Sequence, residues 1–502
     1  MRLESARLNA VVLISGAVLM ALEILGSRVL APSYGSSVYV WGSLISTFLI
    51  ALSAGYALGG KLADRRPSPG FLALLLALGA ILILPSVIWA PKILETINRT
   101  GWDPRWGALV GASVLFLPPS VVLGMVTPFA VRLAIRGTET AGTVAGGYSA
   151  LSTAGSIAGT LATTFFLIPR FPVHLLLLGL SASLLICAAI LMRGRAGVAI
   201  ALAGGVALVF AFLGQATPLP IGGEKVLVRK ETPYHHIVVT QLDSRRWMRF
   251  DTLTQSGVDL AHPDRSLVGY DEALLASLAF RPGIHRVCVI GLGGGSFSRA
   301  FARLRPEAEI DTVEIDPVVR DLALEYFLYR ETSRVRTVIE DGRVFLSKPG
   351  PAYDLIVLDA FNSTGVPFHL TTREFFEIVR RRLSPDGIFA ANFVGQLMGR
   401  DGRLFWATYL TIRRQFGQVY VASPHIRAGR APSSGNLMVY ATVSADPLAI
   451  GDIQRRATEL AARWKLVNVE SYMEFLVHAP EAPAGIPDLS DDYSPVEALQ
   501  NF

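Results

Sequence analysis

The chain has 502 residues, enough for two or more domains, and 51% of them are hydrophobic. A mean hydropathy of +0.43 is too high for an ordinary soluble enzyme, so part of the chain is expected to lie in lipid. The net charge of +6 is modest and is not concentrated in one basic run, which argues against nucleic-acid binding. The two cysteines, Cys187 and Cys288, lie in apolar segments and support neither a disulfide framework nor a metal cluster.

The first 214 residues contain about seven apolar stretches, each near the length of about twenty residues that a helix needs to cross a hydrocarbon core. They lie near residues 9–30, 38–60, 70–90, 107–131, 142–168, 173–192 and 196–214. The sequence therefore predicts a multi-spanning α-helical membrane bundle over residues 1–214, embedded in the lipid bilayer of the cell membrane. Pro118-Pro119 and Thr127-Pro128 should kink its fourth span.

The charges between these stretches bear on orientation. One set of alternate loops is richer in Lys and Arg, which places the N-terminus in the cytoplasm and, with seven spans, the C-terminal half outside. A domain that uses a cytosolic nucleoside would lack its substrate there, so either one segment does not cross, the kinked fourth being the candidate, or the domain does not use such a nucleoside. We expect a cytoplasmic C-terminal half. Glu23, inside the first stretch, is either a cation site or the structural partner of a basic side chain such as Arg28.

Residues 215–230, rich in proline and glycine, form a predicted linker, and residues 231–502 form a predicted α/β domain. Lys225–Val228, Ile237–Leu242 and Trp247–Leu253 alternate like strands of a small N-terminal β layer. Strands near 286–291, 310–315, 335–339 and 354–359 then alternate with helices near 296–304, 317–328 and 371–383. This alternation is typical of a Rossmann-like, doubly wound parallel sheet, which binds ligands at the carboxyl ends of its strands.

A glycine loop lies within the stretch His285–Asp316. Four glycines, at 291, 293, 294 and 295, follow an apolar strand and precede a helix, and Glu314 and Asp316 end the next strand. Glycines let backbone N–H groups approach a ligand, and an acid about twenty residues further on accepts hydrogen bonds from ribose hydroxyls. No GKS or GKT follows the loop, which argues against a P-loop. The unit predicts a nucleoside site for NAD or an S-adenosyl compound.

Residues from about 223 to 450 resemble the spermidine synthase (polyamine aminopropyltransferase) family, and the added membrane bundle resembles the fused membrane-spermidine synthase-like group. The motifs are Tyr234-His-His-Ile237, Phe250-Asp251 with Gln255, Tyr270-Asp-Glu272, the glycine loop, Glu314-Ile-Asp316, Asp341-Gly342 and the Asp-Ala-Phe-Asn that Asp359 opens. The resemblance implies an alkyl transferase that uses decarboxylated S-adenosylmethionine to aminopropylate a polyamine or other amine. It implies no metal, and it admits a homodimer.

Residue roles follow from the same resemblance. Asp359 would be the catalytic residue that orients or deprotonates the attacking amine. Glu314 would bind the donor ribose, Asp341 the adenine amino group and Gln255 the tail of the donor. The remaining cofactor-binding positions are Gly291, Gly293, Gly295, Asp316 and Gly342, and the substrate-binding positions are Tyr234, His235, Tyr270, Glu272 and Asn362. Adjacent strand residues point to opposite faces, so His235 and His236 are not expected to share a metal.

Several positions depart from the family pattern. Soluble members carry an aspartate where this chain has Gly294, Asn362 replaces a second acid, and Ser266-Leu267 replaces an acidic pair. These losses weaken the case for a polyamine acceptor, although acids at 271, 272, 491 and 492 could supply replacement charge. A loop of glycines also tolerates the carboxylate of S-adenosylmethionine. The alternatives are therefore an S-adenosylmethionine-dependent methyltransferase on the same fold, and a polyamine transporter or sensor with a nucleoside-binding domain.

Overall fold

A computed structural model describes residues 2–34, 37–100, 102–135, 137–192, 195–213, 223–251, 253–360, 367–395, 397, 402–424 and 435–499. Asn362, one of the predicted substrate ligands, lies outside these ranges. Internal contacts divide the chain into two compact units. The first is Met1–Leu219 with Glu231–Pro233, and the second is Pro220–Lys230 with Tyr234–Phe502.

The first unit is helical. Its α-helices are α1 (Arg2–Tyr34), α2 (Val38–Arg65), α3 (Pro69–Ile88), α4 (Ala90–Asn98), α5 (Pro104–Gly124), α6 (Val126–Ala134), α7 (Ala141–Ala162), α8 (Val173–Leu191) and α9 (Arg195–Leu213). A 3-10 turn, Thr138–Thr140, precedes α7, and a π-helix, Thr163–Leu167, continues it. Within the described residues, seven helical stretches are long and apolar enough to cross a membrane: Ser5–Tyr34, Val38–Arg65, Pro69–Ile88, Arg105–Ala134, Ala141–Leu167, Val173–Leu191 and Ala196–Leu213. They coincide with the seven stretches that the sequence predicts.

Two local features explain how these helices pack and bend. Gly155 and Gly159 of α7 lie against the main chain of α1, and a Cβ atom on Gly155 would lie 2.0 Å from the carbonyl oxygen of Leu13. The fourth apolar stretch passes through Pro118 and Pro119 within α5 and is interrupted at Met125. The interruption fits Pro128, which has no N–H group for the carbonyl of the residue four positions earlier.

The second unit begins with a four-stranded sheet, in the order β1 (Lys225–Glu231), β2 (His236–Leu242), β3 (Arg245–Phe250) and β4 (Leu253–Asp259). The predicted strand Lys225–Val228 is confirmed within β1, which extends through the last residues of the predicted linker. Another strand prediction is corrected. The predicted strand Trp247–Leu253 is instead two antiparallel strands, because Asp251 adopts a left-handed φ of 53° that reverses the chain. Gln255 consequently lies on β4.

In the part of the chain that the structure describes, the main sheet has eight strands. They are β5 (Arg286–Ile290), β6 (Glu309–Glu314), β7 (Val335–Ile339), β8 (Tyr353–Leu358), β9 (Leu383–Gly395), β10 (Gln418–Ala422), β11 (Gly435–Thr442) and β12 (Val477–His478). Their order is β12-β10-β11-β9-β8-β5-β6-β7. The strands from β9 to β7 in this order are parallel, whereas β11, β10 and β12 are added antiparallel. The four predicted parallel strands are confirmed, and the antiparallel extension is an addition.

Helices cover both faces of this sheet. They are α10 (Tyr270–Leu275), α11 (Ser277–Phe280), α12 (Ser296–Leu304), α13 (Pro317–Tyr326), α14 (Gly342–Ser347), α15 (Arg373–Arg382), α16 (Arg403–Arg413), α17 (Ile450–Trp464), α18 (Val469–Met473) and α19 (Val496–Leu499), with a 3-10 turn at Phe368–Leu370. Successive residues of β5 enter different cores, since Val287 faces one and Cys288 the other. Burial on both faces is why the parallel strands are continuous apolar runs.

Candidate functional site

The site lies where the order of the parallel strands reverses. Strand β5 is flanked by β6 on one side and by β8 on the other. In a doubly wound sheet, ligands bind in the crevice outside the carboxyl ends of the strands at such a switch point. The glycine loop follows β5, Glu314 ends β6, Asp341 follows β7 and Asp359 follows β8, so all four predicted features lie at the same edge.

The glycines of the loop have different functions. Gly291, Gly293 and Gly295 all adopt positive φ, at 98°, 52° and 72°. A Cβ atom on Gly291 would lie 2.2 Å from the carbonyl oxygen of Asp359, and one on Gly295 would lie 2.5 Å from the ring of Tyr329. A Cβ on Gly293 would have no described atom closer than 3.7 Å. Gly291 and Gly295 therefore serve close packing, and Gly293 leaves space for a ligand to approach the backbone.

Glu314 connects the end of β6 to the glycine loop. One carboxylate oxygen accepts a hydrogen bond of 3.0 Å from the Leu292 N–H, and the other accepts one of 3.0 Å from the Asp316 N–H. The side chain is buried, and this burial raises the pKa of Glu314 to about 7, against the opposing effect of the backbone hydrogen bonds. Glu314 is thus a buried acceptor whose charge titrates near neutral pH.

Asp341 combines two contacts. Its carboxylate caps α14 by accepting a hydrogen bond of 2.9 Å from the Val344 N–H, and it lies 3.0 Å from Nε2 of His369. The hydrogen bond with His369 is the main reason that the pKa of Asp341 is lowered. The side chain remains a quarter exposed, so its oxygens can also meet a ligand.

Two other predicted cofactor positions have evident structural roles. Asp316 is fully buried, and its carboxylate caps α13 by accepting a hydrogen bond of 2.9 Å from the Val318 N–H. Gly342 lies against Ile290, where a Cβ atom would approach the side chain to 2.4 Å. Helix capping and close packing explain these residue types without a ligand.

Asp359 lies at the centre of the site. Its N–H donates a hydrogen bond of 2.9 Å to the carbonyl of Ile290, which keeps the residue at the end of the sheet. The amide of Asn392 donates a hydrogen bond of 3.1 Å to its carboxylate. Burial raises the pKa of Asp359 to about 6, the Asn392 hydrogen bond opposes this rise, and the charge of Asp271 adds to it. With this pKa, Asp359 is ionised at neutral pH and becomes protonated just below it.

Tyr270 connects Asp359 to the small sheet. Its hydroxyl donates a hydrogen bond of 3.1 Å to the carbonyl oxygen of Gln255 and also lies in hydrogen-bonding contact with the Asp359 carboxylate. The Gln255 carbonyl is in turn 4.0 Å from the position that a Cβ on Gly293 would take. The structure therefore brings Gln255, Tyr270, Asp359 and the glycine loop together.

The other described residues predicted to bind the substrate contact neighbouring residues of the fold. The buried carboxylate of Glu272 accepts hydrogen bonds of 2.8 and 3.2 Å from the backbone and side-chain amides of Asn468, and so holds the start of α18. Tyr234 and His235 precede β2, and the His235 ring stacks on Phe250 with 4.0 Å between centroids. Their roles in substrate binding stay predictions.

The replacement charge expected from the C-terminal segment is not available at Asp491. Both of its carboxylate oxygens bind the guanidinium of Arg343, at 2.7 and 2.5 Å, and one also accepts a hydrogen bond of 2.8 Å from Thr372. This pairing neutralises the acid. Asp491 therefore anchors the C-terminal segment to α14 and α15.

Two asparagines of the site were absent from the sequence prediction. Asn392, on β9, contacts Asp359, and Asn436, on β11, contacts Asn392. The available signal was a single amide within the otherwise apolar run Ile388–Val394. Among the described residues, no group of three or more His, Cys, Asp and Glu side chains is placed to hold a metal ion.

A glycine loop open to a ligand, an acid ending the neighbouring strand and a half-buried carboxylate opposite the loop are features of α/β enzymes with nucleoside substrates. Sequence comparison gives the particular family. A profile of the spermine/spermidine synthase domain matches residues 269–396. A polyamine aminopropyltransferase from Vibrio vulnificus is 30% identical over 294 residues, which are 57% of this chain and 94% of that protein. The chain belongs to the spermine/spermidine synthase family and is a transferase, which confirms the predicted family and enzyme class.

Two further similarities accompany this assignment. A probable polyamine aminopropyl transferase from Bifidobacterium longum is 28% identical over 283 residues, covering 54% of this chain and 61% of that protein. A crystal structure of a probable spermidine synthase from Corynebacterium glutamicum aligns with a TM-score of 0.42 and 20% identity, covering 55% of this chain and 98% of that one.

Proposed function

We propose that this protein is a membrane-bound aminopropyltransferase that uses decarboxylated S-adenosylmethionine to alkylate a polyamine or another amine. The observation that carries the proposal is the half-buried Asp359 carboxylate, which lies opposite the glycine loop and beside the Tyr270 hydroxyl. Its pKa of about 6 makes it a base that is ready at neutral pH. The similarity to a named polyamine aminopropyltransferase supports the same reaction.

The donor would occupy the crevice above β5. Glu314 would accept hydrogen bonds from the ribose hydroxyls, Asp341 would bind the adenine amino group, and Gln255 would contact the tail of the donor. The open side of Gly293 allows the donor to approach the loop backbone. In this proposal residues 231–502 are the catalytic domain, and residues 1–214 are the membrane domain.

The transfer is a displacement at carbon. The lone pair of the acceptor nitrogen forms a bond to the propyl carbon attached to the sulfonium, the C–S bond breaks, and its electron pair neutralises the sulfur of the departing methylthioadenosine. The alkylated nitrogen then carries a proton, which passes to the Asp359 carboxylate. Alignment of the nitrogen with the C–S bond provides much of the rate enhancement, and the carboxylate acts as the base.

Membrane attachment is proposed from the seven long apolar helices, each of the length that a hydrocarbon core requires. We propose a cytoplasmic catalytic domain, because the donor is a cytosolic nucleoside. The loop charges with seven crossings favour the opposite side. The side of the membrane is tested with two separate fusions to the C-terminus, one to green fluorescent protein and one to a periplasmic phosphatase. Fluorescence without phosphatase activity supports the proposal, and phosphatase activity without fluorescence contradicts it.

A second candidate is methyl transfer from S-adenosylmethionine, and Gly294 is the observation that favours it. A Cβ atom there would lie 2.6 Å from the Ser256 hydroxyl and 3.0 Å from the Phe327 ring, so neighbouring side chains fill the space of the aspartate expected in soluble members. Without that acid, the carboxylate of S-adenosylmethionine would meet no repulsion at this position.

Calorimetric titration of the detergent-purified protein separates these candidates. Tighter binding of decarboxylated S-adenosylmethionine and methylthioadenosine supports aminopropyl transfer. Tighter binding of S-adenosylmethionine and S-adenosylhomocysteine supports methyl transfer, and binding of none of the four compounds contradicts both.

A further inference from the structure

We propose that Asn392 and Asn436 form a relay that positions the catalytic carboxylate, with Asn392 holding Asp359 aligned and Asn436 holding Asn392. Neither residue belongs to the motifs that define the donor site. The inference rests on the proposed function, in which Asp359 accepts the proton of the attacking amine.

Strand register brings the three side chains together. Leu358 pairs with Ala391 of the parallel neighbour β9, so the next residues of the two strands, Asp359 and Asn392, lie side by side. Strand β11 runs antiparallel on the other side of β9, where Asn436 pairs with Val394. The relay thus crosses from the parallel part of the sheet to the antiparallel extension.

The hydrogen bonds give the relay one direction. Nδ2 of Asn436 donates a hydrogen bond of 2.9 Å to Oδ1 of Asn392, and Nδ2 of Asn392 donates one of 3.1 Å to Oδ1 of Asp359. A flipped Asn392 amide would present its carbonyl oxygen to the carboxylate and its NH2 group to another NH2 group. Asn436 therefore selects the Asn392 orientation that offers a donor to Asp359.

The orientation of the Asn392 amide affects the ionisation of Asp359 strongly because the amide is buried. Asn392 is 1% exposed, and its neighbours Ala391 and Phe393 are buried as well. A hydrogen bond to the charged form of a buried acid favours ionisation, and burial disfavours it. The Tyr270 hydroxyl also contacts the Asp359 carboxylate, but its single proton can be donated to the Gln255 carbonyl as well, whereas the Asn392 amide donates to Asp359 directly. Asn392 acts through Asp359 and is a positioning residue.

The test is the pH dependence of single-turnover aminopropyl transfer by the full-length protein with saturating decarboxylated S-adenosylmethionine. For Asn392→Ala we expect the acid limb of the profile to move up by about half to one pH unit, since the donor to the charged form is lost. Asn436→Ala should move the limb in the same direction by less. The double variant should equal Asn392→Ala, because Asn436 acts only through Asn392.

Tyr409→Phe is the control, because Tyr409 lies on α16 in the core on the other face of the sheet and donates its hydrogen bond of 2.9 Å to the Pro480 carbonyl. It should lower the melting temperature and leave the acid limb in place. An unmoved limb in Asn392→Ala, or additive shifts in the double variant, overturns the relay.

An infrared pH titration of the carboxyl bands gives a second readout that needs no turnover. Asp359→Asn identifies the band of Asp359, and Asn392→Ala should raise its midpoint. Full transfer activity in Asp359→Asn would refute the proposed function, whereas an unmoved Asp359 midpoint in Asn392→Ala would refute the relay alone.

Discussion

The two parts of the main sheet contribute differently to the site. The parallel strands β5, β6, β7 and β8 end in the loop and acids that would contact the donor and the attacking amine. The antiparallel extension contributes β11, whose Asn436 contacts Asn392 on the bordering strand β9. In the proposed mechanism the parallel part carries the reacting groups, and Asn436 of the extension orients Asp359 through Asn392. Substitutions in the parallel part should change binding and chemistry, whereas those in the extension should change the pH dependence of the chemistry.

The largest effect is expected for Asp359→Asn in the parallel part. The amide keeps the size of the side chain and cannot accept the proton, so transfer should fall by about 10²- to 10⁴-fold, the range attributed to a general base. Donor affinity should stay unchanged in calorimetry. A variant that loses donor affinity and turnover together would assign Asp359 to binding.

Glu314→Gln should weaken donor binding by about 10- to 100-fold, the value of one hydrogen bond to a charged group. In the native protein, Glu314 with a pKa of about 7 becomes protonated as the pH falls from 8 to 6, so donor affinity should fall over the same range. The variant should bind the donor with little dependence on pH in this range. If donor affinity depended equally on pH in both proteins, Glu314 would be excluded as the group whose protonation weakens donor binding.

The glycine loop permits a sharper comparison between two neighbouring glycines. Gly291→Ala places a Cβ 2.2 Å from the Asp359 carbonyl oxygen at a φ of 98°, so we expect a loss of stability of at least about 1–3 kcal/mol. Gly293→Ala meets no such contact and should retain the fold better while losing donor affinity. Thermal unfolding and calorimetry of both variants test this, and the reverse order of stability would contradict the loop geometry.

The smallest effect is expected at the C-terminal anchor. Asp491→Asn removes an ion pair with Arg343, but the Asp491 side chain is 41% exposed, so the loss of stability should stay below about 1 kcal/mol. Transfer should be unaffected, since the acid is already neutralised by the guanidinium. A raised KM for the amine would instead assign Asp491 to acceptor binding.

Local patterns in the sequence predict the parallel strands, the glycine loop and the acid that ends the next strand. Apolar runs ending in glycine or acid mark β5, β6 and β8, because a strand buried on both faces and ending at a ligand crevice needs those residues. The seven long helices are predictable in the same way, since their length and apolar composition are local properties.

The rest depends on contacts between distant residues. The reversal at Asp251 splits a predicted strand, and the space at Gly294 is filled by Phe327, more than thirty residues away. The position of Asn392 depends on the register of β8, β9 and β11, which no single segment specifies. Asp316 is a sequence match to the family motif whose helix-capping role emerges only from its contact with Val318.

The central claim, aminopropyl transfer with Asp359 as the base, is tested most directly by identifying the products. Full-length protein in detergent would be incubated with decarboxylated S-adenosylmethionine and a diamine, and the products would be identified and quantified by mass spectrometry. We predict an aminopropylated amine and methylthioadenosine in equal amounts, both lost in Asp359→Asn. A methylated product formed only from S-adenosylmethionine, or equal product from Asp359→Asn, would contradict the claim.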